Sequence, residues 1–230
     1  MKNVAVILAG GSGSRMGSKL PKQFLTVAGK QIIEYSIEAF EHAEQIDEIC
    51  IVCREDYIAH VEQLVAKKGY HKVRHILCGG KERHHSTLAA IHAYTDDSTN
   101  LLFHDCVRPM VSRRIICDCI EALDRYNAVN VAVQTTDTII AVNADNCIEH
   151  IPDRRILRNV QTPQAFKRGT IRRAYERALA DPDFVTTDDC GTVKRYLPDE
   201  PIYIVEGEHT NFKVTYPQDL QLMEILLHKI

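Results

Sequence analysis

The chain has 230 residues, 45% hydrophobic and 26% charged, with a formal net charge of -3 at pH 7. That apolar content is ample for one α/β domain, and the slight acidic balance argues against a nucleic-acid partner, so an anionic ligand must be met by a local basic cluster. No apolar run approaches the roughly 20 residues of a membrane span, so no membrane partner is expected, and the opening MKNVAVILAGG reads as a first strand, not a signal peptide, which points to a cytoplasmic protein.

In chain order, VAVILA (4–9) is strand-like, and a loop rich in glycine and basic residues, LAGGSGSRMGSKLPKQF (8–24), follows it. IIEYSIEAFEHA has apolar residues at helical spacing, EICIVC is a strand, and YIAHVEQLVAKKG is a helix closed by Gly69. VRHILC, NLLFHD and AVNVAVQ are further strands, separated by the helices ERHHSTLAAIHAY and RRIICDCIEALDRY. Such alternation predicts a doubly wound, mostly parallel sheet of Rossmann-like type, with ligand loops at the carboxyl ends of the strands. The loops after VAVILA, HILC and LLFHD should therefore line one crevice. From residue 135 the rhythm breaks: TTDTIIAVNADNCIEHIPDR (135–154) alternates around the turn-rich NADN and reads as an inserted β-hairpin. From its pattern it either projects or lies flat on its own domain. KRGTIRRAYERALA and TDDCGTVKRYL are helical, IYIVEG is a strand, and YPQDLQLMEILLHKI is a final helix. Nothing reads as a linker, so one domain over residues 1–230 is expected, with an arm at about 135–154.

Eight cysteines raise the question of a metal or disulfide framework. Cys50 and Cys53 form a lone C-x-x-C inside a strand, and Cys117 and Cys119 lie in a helical pattern. No second C-x-x-C or H-x3-H follows, so reduced, mostly buried thiols are expected. His84 and His85, an adjacent pair, read as exposed helix residues. Asp188 and Asp189, ahead of CGTVKRYL, read as helix N-terminal caps.

Three phosphate-loop readings compete for residues 8–24. The dinucleotide fingerprint G-x-G-x-x-G is met at Gly11 and Gly13 but has Met16 in the third place, and the G-x4-G-K-[ST] spacing is absent. The remaining reading is an open glycine loop whose N–H groups meet a triphosphate, with Arg15 and Lys22 supplying formal charge. Lys19 reads as a solvated loop charge. Asp105 closes NLLFHD, where a carboxylate contacting a metal or a ribose would sit; the bland alternative is a cap for the helix that follows.

The loop resembles the G-x-G-x-R-M…P-K-Q signature of nucleotidyltransferases. With HDCVRP (104–109), TTDT (135–138), QTPQAF (161–166), TDD (187–189) and NFKVTYPQDL (211–220) in order, the chain resembles the polyol-phosphate cytidylyltransferases. That family comprises enzymes acting on ribitol 5-phosphate and on 2-C-methyl-D-erythritol 4-phosphate. The resemblance implies transfer of CMP from CTP to a polyol phosphate with release of pyrophosphate and with Mg2+ as the divalent cation. It implies catalytic cations at Arg15, Lys22 and Lys213. It places CTP at Leu8, Ala9, Gly10, Gly11, Gly79, Gly80, Arg83, Ser86 and Asp105, with Asp105 also on the metal. Arg108, Thr138 and Arg154 are the implied clamp for the polyol phosphate. In the family the arm reaches into a neighbouring subunit, so a homodimer with shared sites is implied. The bland reading of Arg154 is an exposed basic patch with Arg155 and Arg158.

Methylerythritol enzymes commonly show D-T-[IM]-K, whereas Asp137-Thr138-Ile139-Ile140 lacks the Lys. Cys106-Val107 and IPDR also resemble the ribitol type. The expectation is therefore ribitol 5-phosphate giving CDP-ribitol, with methylerythritol 4-phosphate as the alternative. A nicotinamide-dependent oxidoreductase is disfavoured by the missing third glycine and by the lack of an acidic residue ending the second strand. A non-catalytic nucleotide-binding module would not need Arg15, Lys22 and Lys213 together.

Overall fold

A strand buried on both faces must be apolar throughout, and β1 (Asn3–Ala9, NVAVILA) meets that condition. In the computed structural model, which describes residues 1–11, 16–17, 20–80 and 82–228, Val4 to Ile7 are fully buried. β1 pairs in parallel with β4 (Glu48–Cys53) on one side and β6 (Asn100–Asp105) on the other. Adding β5 (Val73–Cys78), β7 (Ala128–Gln134), β10 (Arg158–Lys167) and β11 (Ile202–Glu206), the described residues form a seven-stranded sheet. Its order is β11-β7-β10-β6-β1-β4-β5.

Alternate side chains of β1 enter two cores. Ala5, Ile7 and Ala9 pack with α1 (Ile32–Glu41), α2 (Ile58–Lys68), α4 (Arg113–Ala122) and α7 (Pro217–Leu227). Val4, Val6 and Leu8 pack with α3 (Arg83–Ala93), α5 (Arg168–Leu179) and α6 (Asp189–Tyr196). The result is a helix–sheet–helix sandwich, as the alternation predicts. Gly69 ends α2 in the left-handed conformation at φ 69°, its N–H bonded to Val65 O at 2.9 Å.

One strand of the seven-stranded sheet escaped the sequence reading. β10 runs antiparallel to both β6 and β7 in the middle of the sheet. Its segment RNVQTPQAFK lacks alternation and carries a proline, which argues against a central strand. The structure accommodates Pro163 because the register with β7 shifts between Val160 and Gln164, so residues 161–163 have no ladder partner there. A small hairpin of β2 (Thr26–Val27) and β3 (Lys30–Gln31) was also unforeseen. The expected hairpin is present as β8 (Ala141–Val142) and β9 (Ile148–His150), which pair only with each other among the described residues. The Asn143 side chain closes its turn, accepting from the N–H groups of Asp145 and Cys147 at 3.1 and 2.9 Å.

Among the described residues no helix is long and apolar enough to cross a membrane. All eight cysteines are free thiols, five of them buried, and Cys78 and Cys147 are exposed. Burial pushes the Cys50 and Cys53 thiols up to about 12 and about 11, as inert core residues should behave.

Candidate active site

The carboxyl ends of β1, β5 and β6 open onto one cavity of about 790 Å³, the three loops that the strand order predicts. Leu8, Gly10 and Gly11 line it from β1, Gly79 and Gly80 from β5, and Asp105 from β6. Two of these glycines are dictated by close approach of the α3 N-terminus. A Cβ at Gly79 would lie 2.5 Å from Ser86 Oγ, and one at Gly80 would lie 2.4 Å from His85 Cβ. The first turn of α3 carries Arg83 and Ser86 onto the same wall. Its N-terminus is closed by a reciprocal pair in which the Glu82 N–H donates to His85 Nδ1 at 3.2 Å and the Glu82 side chain accepts from the His85 N–H. Gln23 pins the start of the glycine loop, its amide donating to Ala9 O at 2.7 Å and to Gly11 O at 2.9 Å.

Charge converges on Asp105. Lys213 Nζ lies 2.8 Å from Oδ2, and Arg83 Nε lies 3.7 Å from Oδ1. Burial alone would raise this carboxyl, but Lys213, Arg83 and Arg108 outweigh it and hold it far below the usual carboxylate range. Arg83 is itself anchored by the fully buried Asp189, which also accepts from Thr87 Oγ1 at 2.8 Å and from the Tyr175 hydroxyl at 2.7 Å. Burial works against the Arg83 charge, but Asp189 and Asp105 raise its pKa further. Arg108 donates from Nη1 to Asn211 O at 2.8 Å and from Nη2 to Val160 O at 3.3 Å. Lys22 is buried, with Nζ donating to Val214 O at 2.7 Å. Beneath Asp105, burial pushes the His104 imidazole down to about 4, so it is neutral at pH 7. Its Nε2 lies 3.0 Å from Arg108 O, an obligate acceptor, so Nε2 carries the proton and Nδ1 accepts from Thr162 Oγ1 at 3.0 Å. The Asp105 N–H in turn donates to Thr162 Oγ1 at 3.1 Å.

The structure thus brings Leu8, Gly10, Gly11, Lys22, Gly79, Gly80, Arg83, Ser86, Asp105 and Lys213 to one cavity. Ala9 sits just below, its side chain buried and its carbonyl bonded to Gln23. Arg108 flanks Asp105 from outside the cavity lining. Arg15 and Lys19 lie outside the described residues. Thr138 and Arg154 are exposed on the arm and do not line this cavity; Arg154 Nη1 donates to Thr136 O at 2.9 Å.

Two sequence expectations are corrected. Asp188 caps α6, accepting from Gly191 N–H at 2.8 Å, but Asp189 does not; it is the buried anchor of Arg83. His84 is not a fully exposed helix residue: it is half-buried against Phe184, with ring centroids 5.2 Å apart. Gln23, Asp189, Arg54 and Asp56 were not foreseen at the site. Gln23 left a signal as the last residue of P-K-Q and Asp189 as the last residue of TDD, whereas Arg54 and Asp56 left none. The arrangement is a ring of fixed cations around one carboxylate, beside glycine loops open to a phosphate chain, with the His104 imidazole beneath that carboxylate buried and neutral. It suits stabilisation of phosphate charge and not proton abstraction.

A family model described as 2-C-methyl-D-erythritol 4-phosphate cytidylyltransferase (IspD) matches residues 3–229. The chain is 48% identical to a 2-C-methyl-D-erythritol 4-phosphate cytidylyltransferase of Thermobifida fusca, over 97% of this chain and 92% of that protein. It is 45% identical to a bifunctional ribulose 5-phosphate reductase/CDP-ribitol pyrophosphorylase of Haemophilus influenzae, over 98% of this chain but 48% of that protein. The fold matches a crystal structure of 4-diphosphocytidyl-2C-methyl-D-erythritol synthase from Anaerococcus prevotii with a TM-score of 0.87. That match has 31% identity and covers 99% of this chain and 96% of the other.

Proposed function

We propose, for a chain that belongs to the IspD family and is therefore a cytidylyltransferase acting on a polyol phosphate, that the acceptor is 2-C-methyl-D-erythritol 4-phosphate. This reverses the preference for ribitol 5-phosphate drawn from the sequence. Support for the change comes from the family match and from the high identity to the Thermobifida fusca protein over nearly the whole of both chains. The ribitol reading keeps two specific supports: Ile140 stands where methylerythritol enzymes commonly carry Lys, and the Haemophilus influenzae protein is similar over the length of this chain.

The observation that carries the chemistry is the Lys213–Asp105 pair at the mouth of the cavity. A phosphate oxygen of the acceptor attacks the α-phosphorus of CTP, a new P–O bond forms, and the bond to the pyrophosphate breaks. The nucleophile is already an anion, so the barrier lies in bringing anions together and in charge on the α-phosphate and leaving group. Lys22, Lys213 and Arg15 serve as the cations that meet this charge. Leu8 to Gly11 present backbone to the triphosphate. Gly79, Gly80, Arg83 and Ser86 hold cytosine and ribose, a backbone carbonyl there accepting from the exocyclic amine. Among the described residues no cluster of three or more His, Cys, Asp or Glu could hold a metal. One strand-end carboxylate beside a phosphate site does fit Mg2+, which commonly takes one or two carboxylates plus phosphate oxygens. Asp105 would hold it there, and the ion would neutralise phosphate charge.

Arg108, Thr138 and Arg154 form the clamp for the acceptor, the last two reaching a neighbouring subunit's site. Supporting a homodimer through the arm, its apolar side chains are left largely uncovered among the described residues: Ile139, Ile140, Val142, Ile148 and Ile151 are 42 to 60% exposed. The chain works as one cytoplasmic nucleotidyltransferase domain.

Incubation with Mg2+, one of the four nucleoside triphosphates and either polyol phosphate, read as pyrophosphate release, tests the reading. Turnover is expected with CTP and 2-C-methyl-D-erythritol 4-phosphate. A kcat/KM for ribitol 5-phosphate higher than that for the methylerythritol substrate would reverse the choice of acceptor. UTP working within a few-fold of CTP would remove the base-recognition assignment.

A further inference from the structure

Lys213 projects from a segment with little regular structure, between β11 and α7, yet its ammonium meets Asp105 at 2.8 Å. A long flexible side chain on such a segment needs its backbone fixed on both sides. On the C-terminal side, Val214 N–H donates to Val107 O at 2.8 Å, and Val214 O accepts from Lys22. On the N-terminal side the anchor is a pair of buried side-chain amides. Gln161 Nε2 donates to Glu208 O at 2.8 Å, and its Oε1 accepts from Asn211 Nδ2 at 3.2 Å. Asn211 is fully buried, and its Nδ2 donates again to Thr162 O at 2.9 Å. The Asn211 carbonyl is the one that receives Arg108 Nη1. One amide pair therefore sets two cationic residues at once.

The fold makes room for this pair in two ways. Residues 161–163 are released from the β7 ladder by the register shift in β10, which frees Gln161 to turn toward the segment after β11. Gly207 carries no Cβ; a Cβ there would lie 2.4 Å from Gln161 Oε1.

We propose that Gln161 and Asn211 are positioning residues of the cytidylyl transfer, acting through the backbone of residues 208–214 to hold Lys213 against Asp105. The proposal rests on the role given to Lys213 above. Neither amide touches the cavity, so their effect on kcat, which runs through Lys213, must vanish when Lys213 has no side chain to place, whereas what runs through Arg108 belongs to acceptor binding and appears in the acceptor KM.

The test is a double-mutant cycle on kcat. Gln161→Met keeps the length and removes all three hydrogen bonds of this amide, the third being the one its Oε1 accepts from the Glu208 N–H at 3.4 Å. It is expected to lower kcat about 10-fold in the wild-type background, the scale of a sub-ångström to ångström misplacement, and by less than about 2-fold in the Lys213→Ala background. Gly207→Ala displaces the same amide without deleting a polar group, and its loss should depend on the background in the same way. Equal losses in both backgrounds would overturn the proposal while leaving the role of Lys213 intact. A Lys213→Ala enzyme with near-normal kcat would overturn both. Loss of the native circular-dichroism spectrum in both Gln161→Met and Gly207→Ala would assign the pair to folding alone.

Discussion

His104 illustrates how a buried polar residue ties the site to stability. Its folded pKa is pushed down to about 4 by burial, whereas an unfolded chain protonates it near 6.5. As pH falls through that window the unfolded state takes up the proton first, so stability present above about 6.5 drains away until about 4. The loss should approach about 3 kcal/mol. Urea unfolding across pH 4 to 7 is expected to show this extra slope in the wild type and not in His104→Gln. Parallel curves for the two proteins would mean that His104 titrates normally. Residues at this scale were legible unevenly. Asp105 and Lys213 could be placed from a strand end and a motif. Gln161 and Asp189 stand in the QTPQAF and TDD motifs, but their roles could not be read there, because the partners that define those roles lie 50 and 106 residues away.

Among the elements, those with a regular apolar period were read with nearly their observed bounds, since one buried face imposes that period. The stop signal of α2 is a further case. Gly69 has φ 69°, and a Cβ there would meet nothing within 4 Å. Gly69→Ala should therefore cost only the backbone strain, about 1 kcal/mol, seen as a lowered urea midpoint with unchanged kcat. A midpoint equal to wild type would show that the helix end relaxes freely. β10 was missed for the opposite reason. It is a central strand with polar residues and a proline, and each irregular residue serves another segment. Gln161 holds residues 208 and 211, Thr162 bonds His104 and Asp105 N–H, and Gln164 accepts from the N–H groups of Asp189 and Cys190.

For the whole molecule the arm carries the main prediction. Thr138 and Arg154 lie away from the cavity of their own chain, on a hairpin with exposed apolar residues. If each active site is shared, an Arg154→Ala chain mixed with a Lys213→Ala chain gives a mixed dimer with one doubly damaged site and one intact site. Activity should then return to a substantial fraction of normal, although each variant alone is nearly inactive. No recovery, with mixed dimers shown by mass spectrometry, would return Thr138 and Arg154 to their own subunit. By itself the sequence determined the wound fold, the three glycine and acid loops at the strand ends, and the cytidylyltransferase family, because those signals are written in neighbouring residues. Only the tertiary structure decided that an antiparallel strand runs through the centre, that Asp189 grips Arg83, and that two buried amides stand behind Lys213. Those are contacts between buried polar groups, and the free energy of such a group depends on which distant partner the fold brings to it.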